Sequence, residues 1–180
     1  MITPKETLLL IIDVQGRLAQ SVVQSATLEA NIGKLVRACT ILEVPVLLTE
    51  QYPKGLGSTI ASLKELLAGN VAVEKLSFSC CGTPEFMLRL RSFNRNDILV
   101  AGIESHVCVY QTVVDLVEFG YNVHLVTDCV SSRTEENRDI GIRCIEKAGA
   151  TLTSTEMALF ELVRIAEGER FKAISRIVKE

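Results

Sequence analysis

Cys108 has the strongest claim to chemistry of any residue in this chain. It falls early in a helical stretch, His106 to Phe119, that follows the apolar run Asp97–Gly102. The first amides of a helix lack intrahelical partners, and the helix field there is positive. Both favour thiolate, the nucleophilic form of cysteine. Such a nucleophile needs one group to take and return a proton and another to steady its charge. Asp13 closes the apolar run Leu8–Ile12, and Lys75 follows the run Val71–Val73. Free amides at the helix start would hold the oxyanion of a tetrahedral intermediate. Nucleophile, acid/base, cation and oxyanion site are the parts of an acyl-transfer centre.

The other reactive residues have plainer readings. Cys39 and Cys144 fall on apolar helix faces and read as core. Cys129 follows a strand end but lies apart from its helix, which leaves it without the dipole. Cys80 and Cys81 precede a helix, as pocket lining or packing. There is no CxxC, and the only histidines are His106 and His124, so the cysteines match no zinc pattern. His106 reads as a surface or capping histidine. The segment Asp13–Arg17 has neither GxGxxG nor GxxxxGK spacing, which disfavours dinucleotides and nucleoside triphosphates. No metal and no cofactor are expected. Gln15, Glu50, Tyr52 and Phe78 stand near strand ends and are the candidate substrate-binding residues, with Glu50 either a pocket acid or an ion-pair partner for Lys75.

These residues must be carried by alternating strands and helices. Leu8–Ile12 reads as a central strand covered on both faces. Strands are also expected at Val46–Leu48, Val71–Val73, Asp97–Gly102, Val123–Val126 and Ala150–Ser154. Helices are expected at Leu28–Leu42, at Leu56–Leu67 with Ser58 as cap, from Pro84 with Thr83 as N-cap, and at His106–Phe119. Another should follow the capping-box spacing Ser132–Glu135 and end near Ala148. The tail from Thr155 should form two helices divided at Gly168. The fold class is therefore α/β: a doubly wound, mainly parallel six-stranded sheet with helices on both faces, in one domain spanning residues 1–180. Ligands in such sheets bind beyond the carboxyl ends of the strands, and the candidate residues cluster there.

Composition excludes several partner classes. At 180 residues, 48% of them apolar, the chain can bury a substantial core. Its net charge is −3, with no basic block, so nucleic acid is not an expected partner. No apolar run approaches the roughly 18 residues of a membrane span, and no signal peptide is visible. A cytoplasmic protein acting on a small molecule is expected.

The run ending in Asp13-Val14-Gln15, Lys75 after the third strand, and Gly102-Ile103-Glu104-Ser105-His106-Val107-Cys108-Val109 occur in that order at strand ends. In this the chain resembles the isochorismatase-like cysteine hydrolases over essentially its whole length. Thr49–Gly57 and Asp128–Arg133 look like the isochorismatase domain-containing branch, whose substrates are uncertain. The resemblance implies an Asp13–Lys75–Cys108 triad and a cis peptide between Glu104 and Ser105 that orients the oxyanion site. It also implies a homo-oligomer, a dimer or larger. The nicotinamidases of that family hold a metal through an Asp-x-His pair, and here the aligned residues are Glu50-Gln51-Tyr52, which argues for a metal-independent enzyme. Isochorismatases often carry glycine at the cysteine position; Cys108 points instead to amide or ester cleavage through an acyl-enzyme. The alternative is a catalytically silent binding or assembly module of the same fold. A thiol redox role for Cys80-Cys81 or Cys108 ranks below both.

Overall fold

Five consecutive apolar residues can be buried in one strand only if both faces of the sheet are covered. That is the situation of β1 (Thr7–Ile12) in the computed structural model, which describes residues Met1–Glu180; every residue of this strand is buried. The other strands are β2 (Val46–Gln51), β3 (Val73–Lys75), β4 (Asp97–Ile103), β5 (Asn122–Ser131) and β6 (Thr151–Thr153). They form one parallel sheet in the order β3-β2-β1-β4-β5-β6. The helices are α1 (Gly16–Ser21), α2 (Ser25–Leu42), α3 (Pro53–Leu56), α4 (Ala61–Leu66), α5 (Pro84–Ser92), α6 (Tyr110–Glu118), α7 (Glu135–Lys147), α8 (Thr155–Val163) and α9 (Gly168–Val178). None is long and apolar enough to cross a membrane.

The period-2 alternation of β1 divides the interior. Leu9 and Ile11 enter the core shared with Leu35 and Ala38 of α2 and Leu159 of α8. Leu8, Leu10 and Ile12 enter the core shared with Phe86 of α5, Val113 of α6 and Ile145 of α7. The six strands and the α/β class agree with the sequence pattern.

Local departures have local causes. The helix expected over Leu56–Leu67 is interrupted: Gln15 and Thr59 form an antiparallel bridge, Gly16 N–H donates to the Ser58 carbonyl, and Glu50 holds Thr59. Ser58 therefore caps nothing. The stretch His106–Phe119 opens with a wide π-turn, Ser105–Val109, before α6 begins. Its cause is the Glu104 carbonyl, which accepts from both the Val107 and Val109 amides. Thr134, not Ser132, caps α7 by accepting from the Asn137 amide at 3.2 Å. Strand β5 runs through Cys129 to Ser131 because it bulges: Leu125 pairs with Val100, but Val130 already pairs with Gly102.

Candidate active site

The chain passes from β1 outward through β2 to β3, returns to the centre at β4, and leaves the other way through β5 to β6. The carboxyl ends of β1 and β4 thus form the topological switch point, where open α/β sheets place their ligands. Asp13 is the first residue beyond β1, and the π-turn bearing Cys108 follows β4. Ile12 pairs with Gly102. A Cβ on Gly102, at φ +126°, would lie 2.1 Å from the Ile12 carbonyl oxygen, so only glycine allows this approach.

Lys75 ends β3, and register carries it to the same place through β2, where Gln51 pairs with Lys75 and Thr49 pairs with Ile12. Asp13, Lys75 and Cys108 are 1%, 3% and 7% exposed. Lys75 Nζ lies 2.6 Å from Asp13 Oδ2 and donates to Gln51 Oε1 at 2.6 Å and to the Phe78 and Ser77 carbonyls at 3.1 and 3.2 Å. Burial alone would lower the lysine pKa; the Asp13 charge, with Cys80 and Cys108, outweighs it and raises it. Thr49 Oγ1 donates to Asp13 Oδ1 at 2.7 Å. Oδ2 faces the Lys75 ammonium, so each carboxylate oxygen has a partner on another strand.

Burial pushes the Cys108 thiol up to about 12, the Asp13 charge adds to the rise, and Lys75 opposes it. At neutral pH the resting group is therefore a thiol. The thiolate expected from the helix start is not the resting state, because removal from water and the Asp13 charge outweigh the Lys75 charge. What stands next to this thiol is the side chain of Asp13.

The remaining candidates divide. Glu104 holds the loop after β5: its Oε1 accepts from Arg133 N at 3.1 Å and Arg133 Nε at 3.0 Å. Ser105 is buried, with its Oγ 2.7 Å from Ser132 Oγ and 3.3 Å from the Arg138 carbonyl. His106 Nδ1 also contacts Ser132 Oγ, at 2.9 Å. The cis bond is found one peptide earlier than expected, between Ile103 and Glu104, because β4 continues through Ile103 and the chain turns only after it. Gln15 is buried and spends its amide on main chain, donating to the Gly57 and Gln51 carbonyls and accepting from Gln51 N–H. Glu50 falls outside the group: alternation puts it on the opposite face from Thr49 and Gln51, where its Oε1 accepts from the Thr59 amide and hydroxyl. Lys75 pairs with Asp13 instead.

Tyr52 and Phe78 are 51% and 55% exposed. Tyr52 lines a cleft of about 500 Å³ together with Lys54, Ser77, Thr83 and Pro84. The cleft meets Lys75 at its main chain, since the side chain is fully covered, and Cys108 does not line it. Residues not singled out from sequence are Thr49 and Gln51; alternation from Leu47 was the signal that would have found them. Cys80, known only as possible lining, is fully buried on the same network, its Sγ 3.8 Å from Thr49 Oγ1. Cys129 is buried against Thr155 Oγ1 at 3.2 Å, away from the pair. No group of three or more His, Cys, Asp or Glu side chains is gathered to hold a metal.

The isochorismatase domain pattern matches residues 7–157. Isochorismatase family protein 1B of Dictyostelium discoideum is 38% identical over 99% of this chain and 89% of its own length. Isochorismatase domain-containing protein 2 of Danio rerio is 35% identical over 98% of this chain and 89% of its own. Among solved structures, one described as the MAR1 ribonuclease of Caenorhabditis elegans superposes with a TM-score of 0.93 at 37% identity, covering 99% of this chain and 92% of that one. The sheet, the switch-point site and these similarities agree: the chain belongs to the isochorismatase family.

Proposed function

We propose that the protein is a hydrolase that cleaves a small amide or ester at Cys108, without a metal, through a covalent acyl-enzyme. The observation that carries this reading is a buried thiol beside a buried carboxylate that is itself paired with a buried lysine, all at the sheet's switch point.

In the first half-reaction Asp13 takes the thiol proton as sulfur attacks the substrate carbonyl carbon. The carbon–sulfur bond forms, and the carbonyl oxygen becomes an oxyanion at the start of the π-turn, Glu104–Ser105, where the helix field is positive. Asp13 returns its proton to the leaving nitrogen or oxygen, and that bond to carbon breaks. In the second half-reaction Asp13 takes a proton from water, water adds to the thioester carbon, and sulfur leaves with the proton from Asp13. Lys75 stays an ammonium throughout and holds the Asp13 carboxylate and the anionic intermediates in place. The near-closure of Cys108 favours small acyl groups, and the cleft beside Tyr52 takes the more remote part of the substrate.

The test is hydrolysis of a panel of small amides and esters by the wild type, Cys108→Ala and Asp13→Asn. RNA joins the panel because the similar C. elegans structure is described as a ribonuclease; the net charge of −3 offers little to a phosphate backbone. Cys108→Ala is expected to abolish turnover, and Asp13→Asn to lower it by about 10²–10⁴-fold. Turnover that survives Cys108→Ala would sink the proposal.

A further inference from the structure

Strand β2 presents Thr49 and Gln51 on the face that carries the site, and each touches one half of the Asp13–Lys75 pair. Thr49 is fully buried. A threonine hydroxyl has one proton, and an ionised carboxylate can only accept. The 2.7 Å contact therefore commits that proton to Asp13 Oδ1. Its oxygen is left to accept from Cys80 Sγ. Burial pushes Cys80 up to about 11, so its thiol keeps the proton it donates. The chain of hydrogen bonds has one direction, from Cys80 through Thr49 to Asp13. It engages Oδ1, while Oδ2 faces Lys75 Nζ at 2.6 Å, so the two contacts together fix the orientation of the carboxylate.

We propose that Thr49 is a positioning residue that holds the Asp13 carboxylate through Oδ1 in the orientation that serves Cys108, while Gln51 fixes Lys75 against Oδ2. The inference rests on the reading of Asp13 as the base for Cys108. The groups that face Asp13 are Thr49 from β2, Lys75 from β3, Cys80 from the turn Cys80–Gly82 and Cys108 from the π-turn. Removing the Thr49 hydroxyl frees the Asp13 carboxylate to rotate out of that orientation.

The experiment needs no substrate. Alkylation of Cys108 by iodoacetamide is followed by peptide mass spectrometry from pH 4 to pH 9 in the wild type, Thr49→Val, Thr49→Ser, Gln51→Leu and Asp13→Asn. Thermal unfolding of each variant confirms that it is folded. Thr49→Val is expected to slow alkylation by about tenfold. Thr49→Ser, which keeps the hydroxyl, should restore the rate. Gln51→Leu should also slow alkylation, because it loosens the cation beside the carboxylate. A Thr49→Val profile that superimposes on the wild type, or a Thr49→Ser profile that matches Thr49→Val, overturns the inference. If Asp13→Asn alkylates at the wild-type rate, the underlying assignment of the base fails instead, and the two failures are told apart.

Discussion

Asp13 and Lys75 place opposite charges in a site where neither side chain reaches water. Removing one partner leaves the other charged and uncompensated, which costs more than the pair is worth. Lys75→Met should therefore destabilise the protein by about 3–5 kcal/mol, read from urea denaturation; a loss below about 1 kcal/mol would mean that Asp13 is solvated once the lysine is gone. Cys108 illustrates the same balance from the other side. Its position beside a helix start suggested a ready thiolate, but burial and the Asp13 charge keep the proton on sulfur. At this scale the sequence pointed to Asp13, Lys75 and Cys108 as candidates, since each follows an apolar run, and the structure brings the three together. It did not reveal their supports. Glu50 attracts notice because it can titrate, whereas Thr49 and Gln51 belong to the site because they face it.

The elements matter through close approach. Gly141 lies inside α7, where glycine costs about 0.5–1 kcal/mol relative to alanine. A Cβ there would stand 2.7 Å from the Ser105 carbonyl carbon and 2.8 Å from the His106 nitrogen. The missing side chain lets α7 rest directly on the turn that carries Cys108, and Ser132 ties the same turn through Ser105 and His106. Gly141→Ala should push the turn away from its place, with a stability loss of about 1–3 kcal/mol and slower alkylation of Cys108. A variant whose alkylation rate is unchanged would show that the contact does not position the turn. None of this was legible locally. The capping-box spacing at Ser132 suggested a helix start, but the hydroxyl is drawn to a turn 27 positions away in the chain. Ser58 lost its helix to Gln15 and Glu50 in the same manner. Local pattern predicts local hydrogen bonds, and it fails where a distant partner offers a better one.

Over the whole molecule, the alternation of apolar runs and helical stretches was enough to read a parallel six-stranded sheet, because parallel neighbours need crossover helices. Strand order was not in that alternation. It decides the site, since the run β3-β2-β1-β4 brings the end of β1 beside the end of β4 and lets β2 bridge from Asp13 to Lys75. Fold and family membership do not by themselves assign a mechanism; the nucleophile does. The most direct measurement is intact-protein mass spectrometry during turnover of an ester or amide that the protein hydrolyses, quenched in acid and followed by peptide mapping. An acyl adduct on the peptide containing Cys108, absent from Cys108→Ala and accumulating in the pre-steady state, is the predicted result. Turnover with the adduct on another residue, or with equal rates in Cys108→Ala and no adduct, would contradict it.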